Sequence, residues 1–157
     1  MNIEHIVAIA DLNARYADAI DANRLEAWPD FFLDDGCYRV TTVENVAQGL
    51  PLNIIYATSR AMLRDRVKAL REANVYEGQH YRHVLGTPLI TLVEAAGLRA
   101  RTSFMVARVM RTGDTMLFAT GCYEDHIVVD TPDGARFVEK TVILDSRQID
   151  TLLAIPL

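Results

Sequence analysis

The sequence predicts an α+β domain: three N-terminal helices packed on a strongly curved, mostly antiparallel sheet that closes into a cone with an interior pocket. Two observations lead there. Apolar residues recur at helical spacing in the first half of the chain, and from Tyr81 onward the pattern changes to long strand-like runs separated only by turns. Strands that follow one another without intervening helices pair antiparallel, because parallel crossovers need a helix between them. A length of 157 residues fits one hydrophobic core, so a single domain over 1–157 is expected.

Between Ile3 and Asp21, the residues Ile3, Ile6, Val7, Ala10, Ala14, Ala17 and Ile20 trace an apolar helix face. Arg24 to Phe32 reads as a second, short helix bearing Leu25, Trp28, Phe31 and Phe32, limited by Pro29. Asp34-Asp35-Gly36 is turn chemistry, and Cys37 to Thr42 is a first strand. Glu44 to Thr58 has no clean period and is expected to be a long loop. Ser59 can cap a third helix to about Ala73, with Met62, Leu63, Val67 and Leu70 as its buried stripe. Four strands follow: Tyr81 to Glu94, Leu98 to Met110, Thr115 to Val129 and Arg136 to Ile149, with Gly86 and Gly121 suggesting bulges or bends.

Sixteen Lys and Arg against 21 Asp and Glu give a net charge of -5, which argues against a nucleic-acid partner. No basic-then-apolar leader and no run of eighteen apolar residues is present, so a cytoplasmic protein without a membrane partner is expected. Cys37 and Cys122 are too few for a disulfide scaffold.

The same two cysteines lack the spacing of a Rieske cluster, which pairs Cys-x-His with Cys-x-x-His, since Arg39 and Asp125 stand where histidines would be needed. His80 and His83 differ by an odd number and would project to opposite faces of a strand, against a shared metal. His5 and His126 read as solvated. No phosphate loop or Gly-x-Ser-x-Gly elbow occurs. An acid-base pocket is an alternative: Tyr16, Asp34 and His83, with Tyr123 and Asp145 nearby in the pattern, supply the residue types of a stand-alone dehydratase or isomerase. A ligand-binding domain without chemistry needs only the pocket. An interaction surface is the other theme. Arg64, Arg66, Arg71 and Arg82 with Tyr76 and Tyr81 concentrate guanidinium and aromatic groups in one segment, and the apolar ending Thr151 to Leu157 should dock on its own domain or a neighbour.

Several stretches carry a resemblance. They are Tyr16-Ala17-Asp18-Ala19-Ile20-Asp21 through Trp28-Pro29-Asp30-Phe31-Phe32, Cys37 to Thr42, Asp65 to Tyr76 followed by Tyr81-Arg82-His83, and the ending Asp150 to Leu157. Together these resemble the beta (small) subunit of aromatic-ring-hydroxylating dioxygenases over nearly the whole chain. The resemblance implies a fold similar to nuclear transport factor 2 (cystatin-like). It also implies a homotrimer supporting three alpha subunits in an alpha3beta3 hexamer, with relatives serving aromatic acids such as terephthalate or salicylate. It places the Rieske [2Fe-2S] cluster and mononuclear iron in the alpha subunit, with no cofactor and no transferable catalytic residue in this chain.

Overall fold

Helix α1 (Ile3–Asp21) begins at Asn2, whose side chain accepts from the Glu4 N–H at 3.0 Å. The computed structural model describes residues 2–73, 78–148 and 155–157. The buried stripe of α1 is Ile9, Leu12, Tyr16 and Ile20, while Ile3 and Val7 are exposed. This rotates the face expected from the alanines. A helix docks on its largest apolar side chains, and Leu12 and Tyr16 remove more surface from water than Ala10 and Ala14. Leu25–Phe31 then forms a 3-10 helix, the short element that Pro29 permits.

Strand β1 (Phe32–Thr42) is longer than expected. Its Asp34-Asp35-Gly36 segment is an irregularity in the pairing with the last strand, between Phe32 and Cys37, rather than a turn before the strand. The segment expected as a loop contains two short elements, α2 (Val43–Ala47) and β2 (Ile55–Ala57). Thr42 caps the first through the Asn45 N–H, and β1 recruits the second as its antiparallel edge. Ser59 caps α3 (Arg60–Ala73) through the Met62 N–H at 3.2 Å. Leu63 and Val67 are buried, whereas Met62 is exposed and its sulfur accepts from Thr58.

The long run from Tyr81 to Glu94 is two strands, β3 (Gln79–Leu85) and β4 (Leu89–Glu94), split at Gly86-Thr87-Pro88. Both lie on one edge of β5 (Gly97–Met110), because Pro88 cannot donate to the ladder. Then come β6 (Thr115–Val128) and β7 (Arg136–Leu144), the latter ending before Asp145. The turns between β5, β6 and β7 use Gly113 (φ 93) and Gly134 (φ 89), a conformation side chains disfavour. Strand order is β2-β1-β7-β6-β5-β3, antiparallel except for β1 against β7, which run parallel. The inner face of this sheet and the stripes of α1, α3 and the 3-10 helix enclose one core. Among the described residues no helix is long and apolar enough to cross a membrane.

Gly121 is not a bulge. It pairs in register with Leu144 and Phe104, and a Cβ there would lie 2.0 Å from the Ile143 carbonyl oxygen. In the two ladders that β6 makes, the register shifts fall at Val106/Ala107 and His126/Ile127 instead. Gly121→Ala should therefore force β6 and β7 apart at a central position. The expected loss is about 2–3 kcal/mol of stability in denaturant unfolding, whereas Gly113→Ala, with open space around it, should lose only about 1 kcal/mol for its positive φ.

Candidate functional site

The inner faces of β6 and β7 place Gly121, Tyr123, Asp125 and Ile127 opposite Leu144, Val142, Lys140 and Phe137. Asp125 and Lys140 are thus a directly opposed pair pointing inward, both side chains 0% exposed. The Lys140 ammonium donates to both Asp125 carboxylate oxygens, at 3.2 and 3.4 Å. It also faces the rings of Tyr123, Phe137 and Tyr16, with centroids at 3.5, 4.4 and 4.7 Å. Loss of water pushes the Asp125 carboxyl up to about 6 and the Lys140 ammonium down to about 8, against the attraction each exerts on the other.

Aromatic rings extend this cage across the interior. Tyr16 packs edge-on against Phe31, Phe32, Tyr123 and Phe137, Trp28 against Tyr38 and Phe32, and Phe104 stacks on Tyr123 at 4.4 Å. Ile155 and Leu157 are buried here too. The Tyr16 and Tyr38 hydroxyls donate to the Leu157 main-chain oxygen at 2.6 and 3.2 Å, and the Leu157 N–H donates to the Tyr38 hydroxyl at 3.1 Å. Burial holds both tyrosines in their neutral form, Tyr38 being pushed up to about 12. The apolar ending thus docks on its own domain at residues 155–157, while Thr151 to Ala154 lie outside the described residues.

Tyr16, Asp34 and His83 do not converge. Tyr16 is committed to Leu157. The Asp34 side chain is 94% exposed and pairs with Arg60 at 2.9 Å on the outside. His83 is buried against Asp21 at the end of α1, whose carboxylate takes its main-chain N–H at 2.8 Å and its Nδ1 at 2.6 Å. This second buried pair ties α1 to edge strand β3, while His80, on the opposite face of that strand, is exposed. Asp145 is exposed and accepts from the Thr120 hydroxyl at 2.9 Å. His126 is not solvated, its side chain being 13% exposed with Nε2 3.8 Å from the Glu94 carboxylate.

The arginines divide. Arg71 and Arg82 share the corner where α1 ends: Arg71 binds Glu26 and the Asn23 carbonyl at 2.7 Å each, and Arg82 stands 4.0 Å from Asp21. The Arg71 guanidinium holds the Glu26 carboxyl down to about 2. Arg64 is exposed and reaches Asp30 at 3.4 Å. Arg66 is half-buried, and its charge opposes the upward push of burial on the Tyr38 hydroxyl. Tyr81 is only 2% exposed, its ring packed on Phe118, so it offers its body to the core rather than to a surface. Tyr76 lies outside the described residues.

The residues present do not fit an iron–sulfur cluster. Cys37 and Cys122 are half-buried on the outer face, in register with Glu139 and Ile143 of β7, which puts them four positions, roughly 13 Å, apart along the strands. Among the described residues no group of three or more His, Cys, Asp or Glu side chains could hold a metal.

Residues 1–141 match the model of the SnoaL-like domain. The terephthalate 1,2-dioxygenase terminal oxygenase component subunit beta 1 of Comamonas sp is 48% identical over 96% of this chain and 97% of its own. The chain belongs to the beta-subunit family of aromatic-ring-hydroxylating dioxygenases. The anthranilate 1,2-dioxygenase small subunit of Burkholderia cepacia is 38% identical, over 93% of this chain and 90% of that one. A crystal structure of a beta subunit assigned to an aromatic-ring-hydroxylating dioxygenase of Novosphingobium aromaticivorans superposes with a TM-score of 0.87 at 39% identity, covering 96% and 95% of the two chains. The cone-like α+β architecture is the fold of this family.

In this beta subunit the Asp125–Lys140 pair is the feature that motif reading misses. Its signal is alternation, because Lys140 shares inward parity with Val142 and Leu144, and Asp125 with Tyr123 and Ile127. Asp125, raised to about 6, binds protons more readily in the folded chain, so its contribution to stability is present in acid and is lost as pH rises from about 4 to about 6. Lys140, lowered to about 8, loses its proton earlier in the folded chain, so stability rises from about pH 8 to about 10.5. The two groups together contribute least between pH 6 and 8. Lys140→Met alone should cost about 3–5 kcal/mol at pH 7 by stranding Asp125. Asp125→Leu combined with Lys140→Met should recover most of that loss, and its advantage over Lys140→Met should shrink at pH 4. Guanidinium unfolding across pH measures both.

Proposed function

We propose that this chain is the non-catalytic structural subunit of a multicomponent dioxygenase that acts on an aromatic acid. In this reading residues 1–157 form one domain. Three copies assemble in the cytoplasm as a trimer that carries three alpha subunits, and the Rieske [2Fe-2S] cluster and mononuclear iron belong to the alpha chain. The observation that carries it is identity of 48% along essentially the full length of a terephthalate dioxygenase beta subunit. The anthranilate relative supports the aromatic-acid class.

Two features of the chain fit such a role. The candidate acid-base residues are each engaged in separate structural contacts, and Val43, Val46, Leu50, Leu52, Ile54 and Tyr56 stay exposed along one segment beside edge strand β2. Apolar exposure of that extent is typical of association surfaces. Arg64 and Arg82, exposed beside single long-range carboxylate partners, are the arginines best placed to meet an alpha subunit.

Light scattering should give about 53 kDa, three times the 17.6 kDa chain, and a larger species when the chain is coexpressed with its alpha subunit. Arg82→Glu should leave the trimer intact and weaken alpha capture about tenfold, ~1.4 kcal/mol. A monomer indifferent to alpha would refute the assembly, and unchanged capture by both Arg64→Glu and Arg82→Glu would remove these arginines from the contact.

A further inference from the structure

Two apolar surfaces of different shape stand at opposite edges of the sheet. The first is a ridge over residues 43–56. It includes α2, none of whose residues is buried, and it exposes Val43, Val46, Leu50, Leu52, Ile54 and Tyr56. In a chain that is 24% charged, this segment holds one charged side chain, Glu44. Apolar side chains scattered over a surface need no explanation, but six in one segment do.

The second is a groove of about 490 Å³ between the start of α1 and β4, lined by His5, Ile6, Pro88 and the strand from Leu89 to Val93. No Asp, Glu, Lys or Arg lines it. Leu89, Leu92 and Val93 are more than half exposed, as are Ile3 and Val7 on the same stretch of α1. Depletion of charge around an apolar centre is the composition of an interface core. The groove between the 3-10 helix and α3 differs, because Glu26, Arg64, Lys68, Arg71 and Glu72 line it beside Pro29 and Val67. Seating aliphatic side chains there would strip water from five charges, so the ridge fits the α1–β4 groove instead.

Position and size agree with that fit. The ridge flanks β2 and the groove is bounded by β4, with β1, β7, β6 and β5 between them in the sheet. Two unlike surfaces that fit each other make a head-to-tail contact, which closes into a ring when the rotation between copies allows it. The exposed side chains of ridge and groove together offer on the order of 1,000 Å², the size a specific contact has to clear. We propose that residues 43–56 of one copy seat in the α1–β4 groove of the next, head to tail around a three-membered ring. This inference rests on the trimer proposed above and assigns its contact surfaces.

Light scattering of full-length variants, at the concentration where the parent gives three chain masses, tests it. Leu52→Asp on the ridge and Leu92→Asp in the groove replace side chains that are more than half exposed in the single chain. Each should reduce the mass to one chain, 17.6 kDa, through a contact weakened at least about tenfold. Mixed in equal amounts and concentrated, the two variants should form a species of about 35 kDa, twice the chain mass. The intact ridge of one then meets the intact groove of the other, while the ring cannot close. Val46→Asp and Val93→Asp replace the pair if either variant loses its native circular dichroism. Met105→Asp, exposed on the outer sheet face, should leave the trimer intact. A trimeric parent whose ridge and groove variants stay trimeric would overturn this inference and leave the assembly standing. A parent that is monomeric both alone and with its alpha subunit would overturn both. Dissociation by the ridge variants alone would mean that ridge packs on ridge, and a mixture that stays at one chain mass would equally refute the head-to-tail contact.

Discussion

One ammonium group organises the interior. Lys140 is fully buried, and its charge is compatible with that position only because Asp125 stands directly across the β6–β7 ladder and three aromatic rings close the remaining directions. The arrangement fixes strand register more sharply than apolar packing would. A one-residue slip of β7 would turn Lys140 to the outer face and leave Asp125 buried alone. It also fixes the helix layer, because Tyr16 of α1 belongs to the same cage and holds Leu157 through its hydroxyl.

The second buried pair extends the same logic to the sheet edge. Asp21 at the end of α1 accepts both the main-chain and ring N–H groups of His83, so helix and edge strand are joined by polar contacts where β3 has no further strand to pair with. Arg71 and Arg82 gather at this corner. The result is an interior devoted to holding shape and an exterior that combines exposed apolar side chains with arginines, a division suited to a subunit whose work is positioning other chains.

Fold class was legible because period-2 alternation from Leu98 onward is long and uninterrupted, and turn residues sit at Gly113 and Gly134 where positive φ is needed. The stripe of α1 was misjudged because spacing alone does not weigh a tyrosine against an alanine. The short elements α2 and β2 escaped notice because their stability comes from contacts with Thr42 and β1 rather than from their own sequence. At the interior site, Tyr16 and His83 were recognisable as buried polar candidates, yet their partners were not. Asp21 lies 62 residues from His83 and Leu157 lies 141 from Tyr16, separations that no local pattern encodes.

The parallel pairing of β1 with β7 has a bearing on how the chain is made. Arg39 and Glu139, joined across that ladder, are 100 residues apart. At a synthesis rate of about 5–20 residues per second, β1 waits on the order of ten seconds for its neighbour to be translated. During that interval β1 has β2 on one side and nothing on the other, and α1 and α3 are the first layers able to cover the rings of Trp28, Phe32 and Tyr38. Growing chains of this topology are thus exposed to wrong partners on the ribosome, and the early helices serve as a provisional cover until the sheet closes.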